Sequence, residues 1–239
     1  MENKKVSTFK VIMTVVFSIL VAGALFMYIY GEKVFPAEWN LKASYFKFGC
    51  ICASFLFALI FIRLSSQKIL ISMALACTVA ADYFLVICDY AVGNNQLIGL
   101  SLFIAAQFFY MLYTFVVAKA KIRVIISLAL RLALILVIYI VLPKQIELTM
   151  IQSLALVYIA NSAVTWISLM ISIKSQWLMA IGFLLFTACD VILGLKMGGF
   201  DVLNWTGKVV DFLMSHDIET YCYIPGIFLI SAASVWNDD

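Results

Sequence analysis

Two aspartates set inside long apolar runs are the residues of this chain best suited to chemistry. Asp82 lies in the run Ile69–Val92 and Asp190 in the run Leu178–Leu195. The strings around them, TVAADYFL and FTACDVIL, follow one order: Ala, a small residue, Asp, two apolar residues, Leu. A carboxyl deep in an apolar segment is expensive, and such residues concentrate in substrate paths, proton relays and packed polar interiors. Two neighbouring carboxyls in a dry site resist ionising together, so one keeps a proton while the other carries charge. Asp82 and Asp190 would then form an acid/base pair, able to protonate a substrate and to face the cation that results, as the paired carboxyls of glycosidases do. Which of them is the acid is not legible in a sequence.

The elements that must position these residues follow from composition. The chain has 239 residues, 65% apolar and 12% charged, with mean hydropathy +1.09. A soluble domain does not hide that much apolar surface. The apolar runs suit α-helices crossing ~30 Å of hydrocarbon at ~1.5 Å per residue. The short alternating segments of a β-barrel are missing. An all-α, polytopic membrane protein is therefore expected, a single domain over 1–239 with eight transmembrane helices near 11–30, 44–62, 69–88, 97–117, 122–142, 148–173, 177–195 and 218–235. The first run continues well past its VAGA string and is read as a retained helix rather than a signal peptide. A short interfacial helix over Val209–Met214 is an open alternative to a plain loop.

The bias of Lys and Arg between alternate loops predicts both termini on the cytoplasmic side, in a plasma membrane if the cell is bacterial. The third and seventh spans carry the aspartates and run in the same direction. That suggests a tandem repeat of four helices plus four. The net charge of +3 is spread over loops, so nucleic acid is not an expected partner. Most of the six cysteines lie inside apolar runs and His216 is the one histidine, so no metal or cofactor is expected.

Counting inward from the charged boundaries places further polar residues near the aspartates. Asp82 is about 21 Å from Lys68, and Asp190 about 24 Å from Lys174. Lys47, Tyr158 and Tyr221 come from three other helices and fall in the same layer. Gln107 and Tyr110 lie deeper and share one helix face, three residues apart. Bland readings stand beside these. The aspartates can be structural ion-pair partners of Lys47 and Arg131. Lys47 can snorkel to the interface, Gln107 can bridge helices, and the tyrosines can be belt residues.

With these residues in view, the pattern resembles the YhhN-type lysoplasmalogenases, eight-helix membrane hydrolases of the vinyl-ether bond of lysoplasmalogens. The similarity is carried by Ala81-Asp82 in the third helix, Gly99-Leu100 with Gln107 and Tyr110 in the fourth, and Gly182, Phe186 and Cys189-Asp190 in the seventh. Lys47, Tyr158 and Thr220-Tyr221 match single positions in the second, sixth and eighth helices. Gln107 stands where the family has His, and Pro225 where it has Gln. The resemblance implies a lysophospholipid substrate drawn from membrane lipid, bound by Lys47, Gln107, Tyr110, Tyr158 and Tyr221. A small proton-coupled transporter and a non-catalytic lipid-binding membrane protein remain the other readings of the same residues.

Overall fold

Hydrocarbon offers no partner to a backbone N–H or C=O, so a chain this apolar must satisfy its backbone within helices. The computed structural model describes residues 8–34, 39–62, 65–88, 93–118, 120–142, 149–197, 212 and 218–236. The interfacial helix considered over Val209–Met214 and the loop residue His216 lie outside the described residues, apart from Phe212. Eight long helices are found among them: α1 (Thr8–Val34), α2 (Trp39–Ile60), α3 (Ser66–Asp82), α4 (Gly93–Ala118), α5 (Lys121–Leu136), α6 (Met150–Ile171), α7 (Ile173–Met197) and α8 (Ile218–Trp236). Two of them end in a π-helical turn, α3 over Tyr83–Ile87 and α5 over Val137–Val141. All but α7 are long and apolar enough to cross a membrane, and the apolar part of α7 covers Gln176–Ile192. The chain is an integral membrane protein of the all-α, polytopic class expected from its composition.

Local signals explain several helix ends. Thr149 caps α6 by accepting from the Gln152 backbone N–H at 3.2 Å, while the Gln152 side chain accepts from the Thr149 N–H at 2.9 Å. This reciprocal pair satisfies two N–H groups that an α-helix leaves open at its start. Between α6 and α7 the backbone breaks at Ser172 and again at Gln176. The Gln176 side chain is buried there and accepts a hydrogen bond from the Tyr113 hydroxyl of α4.

The helices pack as two interlocked sets of four. α1 packs on α2, α2 on α3 and α3 on α4, and the same sequence recurs as α5 on α6, α6 on α7 and α7 on α8. The cross-contacts match too, since α2 meets α8 as α6 meets α4. When Asp82 is laid on Asp190, the buried positions of α3 fall on buried or half-buried positions of α7. Lys68 matches Gln176, Ile71 matches Met179, Leu75 matches Phe183 and Ala81 matches Cys189. The four-plus-four repeat is thus written in packing more than in residue identity. α3 and α8 approach closely along their backbones, whereas the equivalent α7 and α4 meet through longer side chains, the rings of Phe183 and Phe186 lying against Phe103 and Tyr110.

α8 is the most enclosed of the spans, and its contact with α7 is the tightest in the bundle. A Cβ on Gly182 would lie 2.8 Å from the Ile230 backbone nitrogen, and one on Gly226 would lie 2.8 Å from that of Phe186. Glycine on both helices lets the backbones approach this closely, which is how spans gain packing where lipid supplies no hydrophobic drive. Pro225 beside this crossing does not end α8. α1 and α5 are peripheral, with Ile19, Leu20, Ile122 and Leu132 more than half exposed on faces that meet lipid.

Candidate active site

The α7–α8 crossing carries one wall of the site. Phe186 sits one turn before Asp190 on α7, and its ring stacks on Tyr223 of α8 with centroids 5.6 Å apart. Phe186 also contacts Phe103 and Tyr110 of α4 at 6.2 Å each, and Tyr110 packs edge-on against Phe183 at 5.2 Å. These rings form a dry floor between α4, α7 and α8, with Tyr110, Phe183 and Phe186 wholly buried.

Each aspartate holds one tyrosine hydroxyl. Tyr223 of α8 donates to Asp82 Oδ2, and Tyr158 of α6 donates to Asp190 Oδ2. Asp82 is 4% exposed and Asp190 is half-buried. The charge of Asp82 reaches Asp190, and that of Lys47 reaches both carboxyls. Cys189, buried and next to Asp190 in the chain, lies within reach of all three charges. The Lys47 ammonium lies 5.2 Å from the centroid of the Tyr223 ring, a favourable position for a cation over an aromatic face. Lys47 therefore turns toward the site rather than away to the interface.

Asp82 closes the regular part of α3, and the π-turn begins at the next residue. The Cys88 N–H reaches back to the Tyr83 carbonyl at 2.9 Å, the five-residue bond that widens the turn. Such turns shift the register of everything beyond them and recur at functional sites. Gly99 of α4 makes room for this one, because a Cβ there would lie 2.4 Å from Leu85 Cγ.

A second polar line leads from Tyr158 toward the periphery. Arg131 of α5 donates from Nε to Asn161 Oδ1 at 2.6 Å, and Asn161 Nδ2 donates to Gln107 Oε1 at 3.3 Å. Gln107 lies next to Tyr158. Arg131 also donates to the hydroxyls of Ser127 and Thr165, the latter at 2.8 Å. It is 6% exposed, and among the described residues its acceptors are hydroxyls, a backbone carbonyl and an amide oxygen. The ion pair considered between Arg131 and an aspartate is corrected by this geometry: Arg131 ties α5 to α6 instead.

The sequence-derived set is thus only partly assembled. Asp82, Asp190, Lys47 and Tyr158 converge, and Gln107 and Tyr110 border them through Tyr158, Phe186 and Thr78. Tyr221 is half-buried on α8, and the hydroxyl on Asp82 is that of Tyr223, two residues on and about 200° round the helix. Depth counting cannot separate two tyrosines so close in height. Gly226 carried the missing signal, since it marks the α8 face that meets α7, and Tyr223 lies three residues before it on that face. Glu219, one turn before Tyr223, is a third buried acid that the sequence reading passed over, and its charge reaches Cys189. Among the described residues no three His, Cys, Asp or Glu side chains gather as metal ligands.

A family model described as the YhhN family matches residues 42–234, from within α2 almost to the end of α8. No curated protein and no solved structure matches the chain.

Proposed function

Because the chain belongs to the YhhN family, we propose that it is a lysoplasmalogenase-like hydrolase, opening the vinyl-ether bond of a lysoplasmalogen within the membrane. The products are a fatty aldehyde and a glycerophospho-alcohol. The observation that carries this reading is the pair of enclosed carboxyls, each holding one tyrosine hydroxyl through Oδ2. That arrangement leaves the Oδ1 atoms for a substrate.

A vinyl ether is opened by protonation at carbon. One carboxyl gives its proton to the β-carbon, and the π electrons become the new C–H bond. Positive charge spreads over the α-carbon and the ether oxygen. The second carboxyl, ionised, faces that charge and takes a proton from water as the water oxygen bonds to the α-carbon. As the hemiacetal breaks its bond to the glycerol oxygen, the second carboxyl returns its proton to that oxygen and the first takes the hemiacetal hydroxyl proton, so the glycerol leaves as an alcohol, the aldehyde remains and both carboxyls regain their starting states. Fixed charges in a dry site act strongly on such a transition state, because no solvent has to reorganise around them. The tyrosine hydroxyls hold the carboxyls in place throughout. Lys47, a point charge on a flexible stem, suits the phosphate of the headgroup. The test is aldehyde release by purified protein from a vinyl-ether lysolipid, measured for the wild type and for Asp82→Asn and Asp190→Asn.

A further inference from the structure

An apolar cleft of about 330 Å³ opens between α4, α5 and α6. Its rim includes Leu128, Leu132 and Ile135, which are 45%, 59% and 37% exposed on the outer face of a membrane-spanning helix. Its inner end is polar, formed by Gln107, Arg131, Tyr158 and Asn161. Tyr158 belongs to both places: it lines the cleft, and its hydroxyl holds Asp190.

The polar end is built with a fixed orientation. Arg131 can only donate, so the Asn161 atom that it meets at 2.6 Å must be the carbonyl oxygen. The Asn161 amide nitrogen then donates to the Gln107 side-chain oxygen at 3.3 Å and reaches the Gln107 backbone carbonyl at 3.5 Å. The Gln107 amide nitrogen is left over. It is buried in a residue 2% exposed, with the Tyr158 hydroxyl beside it but no well-formed hydrogen bond among the described residues. A donor left unmade in such a place is costly and marks where an acceptor belongs.

We infer that this cleft is the lateral berth for the alkyl chain of a single-chain ether lipid, entered from the bilayer and ending at Gln107 and Tyr158, where the first chain carbons and the oxygen on them meet the acid pair. This inference rests on the hydrolase reading for its substrate. The neighbours follow one another as an extended lipid requires: Lys47 and Asp82 act on Asp190, Asp190 holds Tyr158, and Tyr158 with Gln107 lines the cleft. The Gln107 nitrogen would donate to the oxygen that stays on the chain as the aldehyde forms. A bilayer solvates an alkyl chain as well as leucine side chains do, so the cleft adds little affinity. It sets where the chain lies, and therefore which chains are cleaved.

The test uses the full-length protein in nanodiscs and a lysophosphocholine with a photo-activatable diazirine at its chain end. Labelled peptides should map to the α4–α6 cleft and be displaced by unlabelled lysolipid, which annular lipid labelling would not show. In parallel, Leu132→Trp should lower kcat/KM for long-chain vinyl-ether lysolipids by roughly tenfold and leave a short-chain substrate unchanged. Competed labelling of the cleft by a protein that releases no aldehyde would support the berth while overturning the hydrolase reading. Aldehyde release with competed labelling instead in the groove between α1 and α2, lined by Leu20, Val21, Tyr45 and Gly49, would overturn the berth. So would aldehyde release whose chain-length dependence is the same in Leu132→Trp as in the wild type.

Discussion

Asp82 and Asp190 are held in the same way by different neighbours. Asp82 takes its tyrosine from α8 and Asp190 from α6, although the aspartates themselves occupy equivalent places in the repeat. If the pair does acid–base work, Asp82→Asn and Asp190→Asn each keep the size of the side chain and remove its titratable proton. Each should cut aldehyde release by well over ~100-fold, with the folded fraction unchanged on size-exclusion chromatography. Tyr223→Phe keeps the ring on Phe186 and under Lys47 but deletes the donor to Asp82. A hydrogen bond to a charged group contributes about 1.5–3 kcal/mol, so the variant should lose on the order of 10-fold or more in kcat. Tyr221→Phe should stay close to wild type, and comparing the two variants checks that the site uses the second tyrosine. Lys47→Ala should raise KM while sparing kcat at saturation, as expected for a residue that binds a remote phosphate.

The elements explain what was legible in the sequence and what was not. Helix number and class were legible because bilayer thickness imposes a length, and the apolar runs display it. The carboxyl pair was legible because an acid is so conspicuous in hydrocarbon. Side-chain partners were harder to read. α8 is buried nearly all round, so no polar face gives its phase and nothing in the sequence singles out Tyr223 as the donor to Asp82. Charge alone suggests an acid as one possible partner of Arg131, whereas Ser127, Asn161 and Thr165 supply its acceptors. Asn161 and Thr165 sit on α6, whose polar residues carry no charge to advertise them. The π-turn after Asp82 has no sequence signature, and Gly99 explains it only once Leu85 is seen against it. The Gly182–Gly226 crossing yields the clearest prediction at this scale. Gly182→Ala and Gly226→Ala would each press a methyl group onto backbone of the facing helix, a contact that no side-chain rotation relieves. Overpacking of this kind costs about 1–3 kcal/mol. It should appear as a lower melting temperature in detergent and, because α8 shifts Tyr223 with it, as lower activity. A Gly182→Ala variant with wild-type stability would show that the two helices are not locked here.

At the scale of the whole molecule, the two sets of four helices put their aspartates into one interior region and leave α1 and α5 against lipid. We expect both termini to be cytoplasmic, on the Lys and Arg bias of the loops. Labelling of single cysteines placed near each terminus, from one side of sealed vesicles at a time, checks this; outside accessibility of the N-terminus would reverse it. The same enclosed acids would also serve a proton-coupled carrier, so the reaction itself must separate the two. A vinyl ether forms a stabilised cation when protonated at carbon, whereas a saturated ether of the same chain and headgroup has no double bond to protonate. The most direct measurement therefore incubates the purified protein with the matched pair of lysolipids and follows aldehyde. The account predicts aldehyde from the vinyl ether alone, lost in Asp82→Asn and in Asp190→Asn. Folded protein that releases no aldehyde from any vinyl-ether lysolipid, yet moves a solute across proteoliposomes in an Asp82-dependent way, would contradict it.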